Sequence, residues 1–211
     1  MGYKHYKCDN CTDSYKEAIS KLGHTAGEWV TEKEATETET GLKCQYCVTC
    51  GTKLDEETLP IIEGIDKVYT IDLGNGQTTT VVGHFDDAYA QEAFRLLNEY
   101  RVANGLAALK TSSSLDKGAA IRAYEIAYLF EHTRPNGERC FSVSSISRGE
   151  NIAAGYRTPE AVMEGWKNSS GHNENMLRST FKSVSVQCFA ERIDLGNGQY
   201  YYYYHWVQLF G

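Results

Sequence analysis

Residues 148–177 read RGENIAAGYRTPEAVMEGWKNSSGHNENML. Thr158-Pro159-Glu160 supplies a cap hydroxyl, a proline suited to the first helical position and an acid for the first turn. A helix therefore starts there and pairs Val162 with Trp166. Ser170 is expected to cap a second, short helix carrying His172 to Leu177. Glu150 and His172 sit near the two ends of the stretch, each beside a glycine, where functional side chains tend to be displayed.

On the N-terminal side lies EHTRPNG, residues 131–137. Its His132 follows a helix expected from Ser112–Ser114 to about Phe130, with Leu115, Ala119, Arg122/Ala123, Ile126 and Phe130 in register, and Pro135 forbids continuation. Arg122, Glu125, Arg134 and Arg148 read as ion-pairing or loop-holding groups, not catalytic ones, and His84 and His205 get the same bland reading. An earlier helix is capped by Asp86/Asp87, carries Tyr89, Ala93, Leu96, Leu97 and Tyr100 on one stripe, and closes at Gly105. Before it, VYTIDL and QTTTVV flank Gly74-Asn75-Gly76 and read as a hairpin, since that turn supplies the positive φ values required. The string IDLGNGQ returns at 193–199 as a reused hairpin turn. On the C-terminal side, Val184, Val186, Cys188 and Ala190 alternate with more polar residues, and Tyr200–Phe210 is a long aromatic strand. Helices followed by strands argue an α+β fold with helices against an antiparallel sheet.

The first quarter is different. Cys8, Cys11, Cys44, Cys47 and Cys50 crowd residues 1–64, which carry 7 basic and 12 acidic side chains and almost no apolar periodicity. Cys8-x-x-Cys11 and Cys47-x-x-Cys50 are offset by 39 residues (47 − 8), a period typical of repeated modules. A unit this small needs a metal or disulfides to stand. Two CxxC pairs suit tetrahedral Zn²⁺, with His5 and His24 as spare ligands; disulfides or free thiols in a spacer are the alternative. The organisation expected is a partial Cys repeat at 1–22, a His/Cys module at 23–64, a hairpin lead-in at 65–83 and the main domain at 84–211. Cys140 and Cys188 fit either a disulfide or two small buried hydrophobes.

Composition narrows the classes. Of 211 residues 41% are hydrophobic and 23% charged, ordinary globular usage. The net charge of −7, with no basic run, leaves phosphate-backbone binding nothing to rest on, so nucleic acid is excluded as the main partner. No stretch approaches the ~18 apolar residues of a membrane helix. Met1-Gly2-Tyr3-Lys4 opens no apolar leader core, which leaves a cytosolic chain or one whose secretion signal and upstream modules lie outside this sequence.

EHTRPNG, then RGENIAAGYRTPEAVMEGWKNSSGHNENML, then YHWVQLF follow one another as in bacterial members of the CAP superfamily, the cysteine-rich secretory, antigen 5 and pathogenesis-related 1 proteins. The resemblance, to the extracellular SCP-like type, covers about 85–211 and includes LLNEYRVANGL. It implies an α-β-α sandwich around a central antiparallel sheet. It also implies a cavity lined by two His and two acids that binds a divalent metal in some members. His132 matches the first His, Glu150 the acid of the GEN motif, and His172 resembles the second His. For the second acid the nearest residue is Glu164, but it lies two residues from Trp166 and so faces the opposite way; the tetrad reads as incomplete. LGHTAGEWVTEKEATETETGLKCQYCVTCG resembles the His/Cys repeats of gram-positive surface proteins, which carry a Cys where this chain has Glu37. By that resemblance His24, Cys44, Cys47 and Cys50 form one structural zinc set, and Cys8 and Cys11 are the tail of a preceding unit.

Two functions follow as expectations. One is an extracellular or cell-surface module whose His132/Glu150/His172 cavity binds a surface, lipid or peptide ligand, with Zn²⁺ or another divalent metal on His132 and His172. The other is a metal- or His-assisted hydrolase of peptidase type, using a hydroxyl such as Ser145, Ser147 or Ser170. Neither a GxSxG elbow nor an HExxH helix is present, which favours binding.

Overall fold

The computed structural model describes residues 2–19, 23–35, 39–60 and 64–211. The chain divides into two compact units, Met1–Ile62 and Glu63–Gly211.

The first unit is all β. Strands β1 (Gly2–Lys7) and β2 (Ser14–Ile19) form a hairpin, and β3 (Ala26–Lys33), β4 (Gly41–Cys47) and β5 (Lys53–Leu59) form a three-stranded antiparallel sheet with β4 central. Both CxxC pairs occupy hairpin tips. The Cys8 N–H donates to the Asp13 carbonyl and the Cys47 N–H to the Thr52 carbonyl, each at 2.9 Å. The two tips share that bond, but only the second closes with a further Gly51 N–H to Cys47 carbonyl bond at 2.9 Å. What periodicity missed is that four of these strands are exposed on nearly every residue, while the central β4 is buried or half-buried throughout. Among the described residues of this unit only Ala35, Cys44 and Cys47 are buried hydrophobics. Glu37 lies outside the described residues.

The second unit is built on alternation. Its elements run β6 (Lys67–Gly74), β7 (Gln77–Phe85), α1 (Asp87–Ala103), α2 (Ser113–Tyr128), a 3₁₀ turn (Cys140–Val143), β8 (Gly149–Ala154), α3 (Pro159–Lys167), α4 (Ser170–Leu177), β9 (Val184–Gly196) and β10 (Gln199–Phe210). The sheet order is β6-β7-β9-β10-β8, antiparallel throughout. Val184, Val186 and Cys188 of β9, with Trp206 and Phe210 of β10, pack against α1, α3 and α4. Phe189, Val207 and Leu209 point the other way and pack with Ile71, Val81 and the α2 residues Leu115, Ala119, Ala123 and Ile126. A period of two sends successive side chains to opposite faces, so one apolar sheet carries two helical layers. The result is the α-β-α sandwich.

Local signals act where they were read. Asp86 caps α1 by accepting the Tyr89 N–H, and Thr158 caps α3 by accepting the Ala161 N–H with Pro159 next to it. The two GNG turns share one geometry: φ is 81°, 54° and 75° over 74–76, and 85°, 53° and 76° over 196–198. Two details differ. Ser169, not Ser170, stands at the α4 cap and makes no side-chain capping bond. The hairpin of β6 and β7 joins the main sheet, because β7 pairs with β9 through Gly83, His84 and Phe85; a Cβ at Gly83 would overlap the Ala190 carbonyl. Cys140 and Cys188 are both buried free thiols.

All of the second unit's apolar layers lie within residues 63–211, so a fragment of those residues is expected to unfold in one cooperative thermal transition. A molten or insoluble fragment would contradict that independence.

Candidate functional site

The site grows from one strand. β8 lies at the sheet edge, and adjacent residues of its GEN motif face opposite layers. Glu150 points toward α2 and Asn151 toward α4. Each carries one histidine-bearing segment.

On the α2 side, Arg122 is fully buried. It donates from Nε to Glu150 Oε2 at 2.8 Å, from one terminal nitrogen to Glu125 Oε2 at 2.8 Å, and from the other to the Glu131 carbonyl at 2.6 Å. Arg134 holds the other side of Glu125, at 2.8 Å. Segment 129–140 is therefore pinned beside His132, whose Nδ1 meets Glu150 Oε1 at 2.8 Å. Burial alone would push the Glu150 carboxyl up. Hydrogen bonds from His132 and Arg122, with the charges of both, hold it below the ordinary carboxylate range. An ionised carboxylate only accepts, so the His132 Nδ1–H is the donor and Nε2 is left free. Every nitrogen of the Arg122 guanidinium thus has a partner, where an unmatched buried charge would cost several kcal/mol.

On the α4 side, Asn151 donates to the His172 carbonyl at 3.1 Å and to Gln208 Oε1 at 3.0 Å, while Asn175 donates to Asn151 Oδ1 at 2.9 Å. His172 then lines a cavity of about 630 Å³ together with His132, Ser169, Trp166, Tyr156 and Phe130, floored by Ile152–Ala154 of β8. Burial and the nearby His132 lower the His172 pKa, which keeps this ring neutral at pH 7.

The structure joins His132 directly to Glu150 and brings His172 into the same cavity as His132. His172 is not within ligand-sharing distance of the Glu150–His132 pair; the third group there is Cys140, whose donor atom lies within 4.8 Å of both. Burial and the Glu150 charge push the Cys140 thiol up to about 12. Glu164 is exposed and accepts from Asn168 at 2.9 Å, as its place opposite Trp166 requires. Ser145, Ser147 and Ser170 do not line the cavity. Ser169 does, and nothing in its spacing singled it out. His84 pairs with Asp66 and His205 with Glu191, each at 2.8 Å. Arg122 was legible as a charged residue inside an apolar stripe. Cys140 gave no signal, since only the tertiary fold sets it beside Glu150.

In the first unit, His24, Cys47 and Cys50 present donor atoms within 4.8 Å of one another. Cys44 departs from the expected set. It is three residues from Cys47 on one strand, an odd offset that turns it to the other face, where its thiol meets Glu32 Oε2 at 3.3 Å.

Two outcomes follow. Arg122→Met leaves Glu125 and Glu150 buried with too few partners, and a denaturant titration should show about 3–5 kcal/mol of lost stability; a loss below ~1 kcal/mol would mean the network is not structural. His172 has a folded pKa below its unfolded value near 6.5, so protons favour the unfolded state. Its contribution is full above ~6.5 and is lost as pH falls below that. Stability of the chain should therefore decline between pH 7 and pH 5, and less steeply in His172→Gln; an equal slope in both would contradict the shift.

The family model described as the cysteine-rich secretory protein family, CAP, matches residues 94–210. The protein YkwD of Bacillus subtilis is 32% identical over 117 residues, covering 52% of this chain and 46% of the relative; the chain thus spans about half that relative's length. Among solved structures, an outer surface protein of Borrelia burgdorferi aligns with a TM-score of 0.46 at 21% identity, over 61% of this chain and 97% of its own. An extracellular SCP-domain protein of Bacillus anthracis aligns at 0.47 and 18%, over 87% and 67%. With the family model covering more than half of its length, this chain belongs to the CAP family.

Proposed function

We propose that the CAP domain is an extracellular or cell-surface binding module whose 630 Å³ cavity takes a peptide segment. The observation that carries this reading is the commitment of Glu150. Both of its oxygens are engaged, by Arg122 and His132, so it orients His132 and is not free to act as a base. The free His132 Nε2 and the neutral His172 offer hydrogen-bonding nitrogens, and Trp166, Tyr156 and Phe130 offer apolar wall. β8 is an edge strand, and main-chain addition to a sheet edge is a general mode of peptide capture. No helix among the described residues is long and apolar enough to cross a membrane.

The second reading, a metal-assisted hydrolase, draws on the His132, Cys140 and Glu150 donors lying within 4.8 Å. These groups do not fit a divalent ion as they are held. Burial and the Glu150 charge push the Cys140 thiol up to about 12, and both Glu150 oxygens already accept from Arg122 and His132, so an ion would have to expel the thiol proton and compete with those bonds. A thiolate, a free imidazole nitrogen and a free carboxylate oxygen are what such an ion needs.

Selection of displayed random peptides on the purified chain should enrich sequences that bind wild type, lose binding at least about tenfold on His172→Ala, and emerge uncut. Hydrolysis of casein that vanishes in His132→Ala, with no peptide enriched, would replace binding by catalysis.

A further inference from the structure

The first unit poses its own question of what holds it together. Strands β1 and β2 are exposed throughout, and β3 is exposed at all but one position. Ala35, Cys44 and Cys47 are the buried hydrophobics among its described residues, far too little apolar surface to order a sheet of this size. Small units of this kind are completed by a disulfide or a metal, and every cysteine here is free.

The donors are already gathered. In a tetrahedral site with a Zn–S bond of ~2.3 Å and a Zn–N bond of ~2.1 Å, the S and N atoms lie roughly 3.6 Å apart. Cys50 Sγ and His24 Nδ1 are 3.3 Å apart, and Cys47 Sγ completes the cluster. The turn is shaped for it. The Gly51 N–H donates to the Cys47 carbonyl at 2.9 Å, and Gly51 takes φ of +69°, a left-handed conformation that costs a glycine little. This bends the chain so that both thiols of the pair face His24.

We infer that His24, Cys47 and Cys50 bind one zinc-class divalent cation, with Cys44 outside the coordination sphere, and that this ion supplies the folding free energy the small core lacks. Three protein ligands leave one tetrahedral corner for water or another donor. Two thiolates and an imidazole select a borderline-soft ion over Mg²⁺ or Ca²⁺. The Cys8–Cys11 tip lacks the equivalent of the Gly51 bond and has no third donor among the described residues within the same reach, so one ion per chain is expected.

The test is Co²⁺ titration of the reduced, metal-free full chain, with Zn²⁺ competition. One equivalent should give four-coordinate d–d absorption and thiolate charge-transfer absorption, all displaced by Zn²⁺. Cys50→Ser should halve the charge-transfer intensity, while Cys44→Ser and Cys140→Ser leave it unchanged. Limited proteolysis should cut residues 1–62 at least about tenfold faster after chelation, at the ~1.4 kcal/mol that a tenfold population change represents, with residues 63–211 unaffected. A one-third loss of intensity in Cys44→Ser, no thiolate absorption at all, or a Cys47–Cys50 disulfide found by mass mapping of the unreduced protein would overturn the inference.

Discussion

A guanidinium buried without exposure to water must find partners for its donors or the fold loses several kcal/mol. Arg122 meets that demand with Glu150, Glu125 and the Glu131 carbonyl, and the second unit is arranged around the solution. Helix α2 has to lie where its Arg122 reaches the edge strand β8. Segment 129–140 has to return so that its backbone accepts the remaining bond, and Arg134 has to close over Glu125. His132 is carried on that segment, so its position is a consequence of the charge pairing one layer below.

The strand that receives Arg122 performs a second task through its own pleat. Glu150 serves one face and Asn151 the other, where it holds the His172 carbonyl and is itself held by Asn175 and Gln208. Two residues in sequence thus fix two histidines from different helical layers on the rim of one cavity. This arrangement explains why the histidines need not share a ligand to share a site. Glu150 is spent on structure, while His132, His172 and the aromatic residues Phe130, Tyr156 and Trp166 line the cavity.

Much of this was legible in the residues. Thr158-Pro159-Glu160 started α3 because cap, proline and acid act within one turn, and Gly-Asn-Gly made the same hairpin twice because its φ values are local. The apolar period of two in Val184–Ala190 foretold a half-buried strand, though not that its other face would be covered by α2. His132, Glu150 and His172 were named through the order of the motifs around them. The misses share a cause. Cys140 enters the site through a 3₁₀ turn with no periodic pattern, and Cys44 leaves its expected set because strand parity outweighs nearness in sequence. Four strands of the first unit were invisible to a reading that looks for buried stripes because they bury almost nothing, and β4 buries Gly41, Cys44 and Cys47 at a spacing of three that matches no strand period.

The central claim is that Glu150 holds His132 through Nδ1 and leaves Nε2 to the cavity. Long-range ¹H–¹⁵N correlation spectra of ¹⁵N-histidine-labelled protein measure that tautomer directly. The account predicts that the His132 ring carries its proton on Nδ1 when neutral, and that this preference disappears in Glu150→Gln. A His132 ring protonated on Nε2 instead, or one whose tautomer is indifferent to Glu150→Gln, would contradict it.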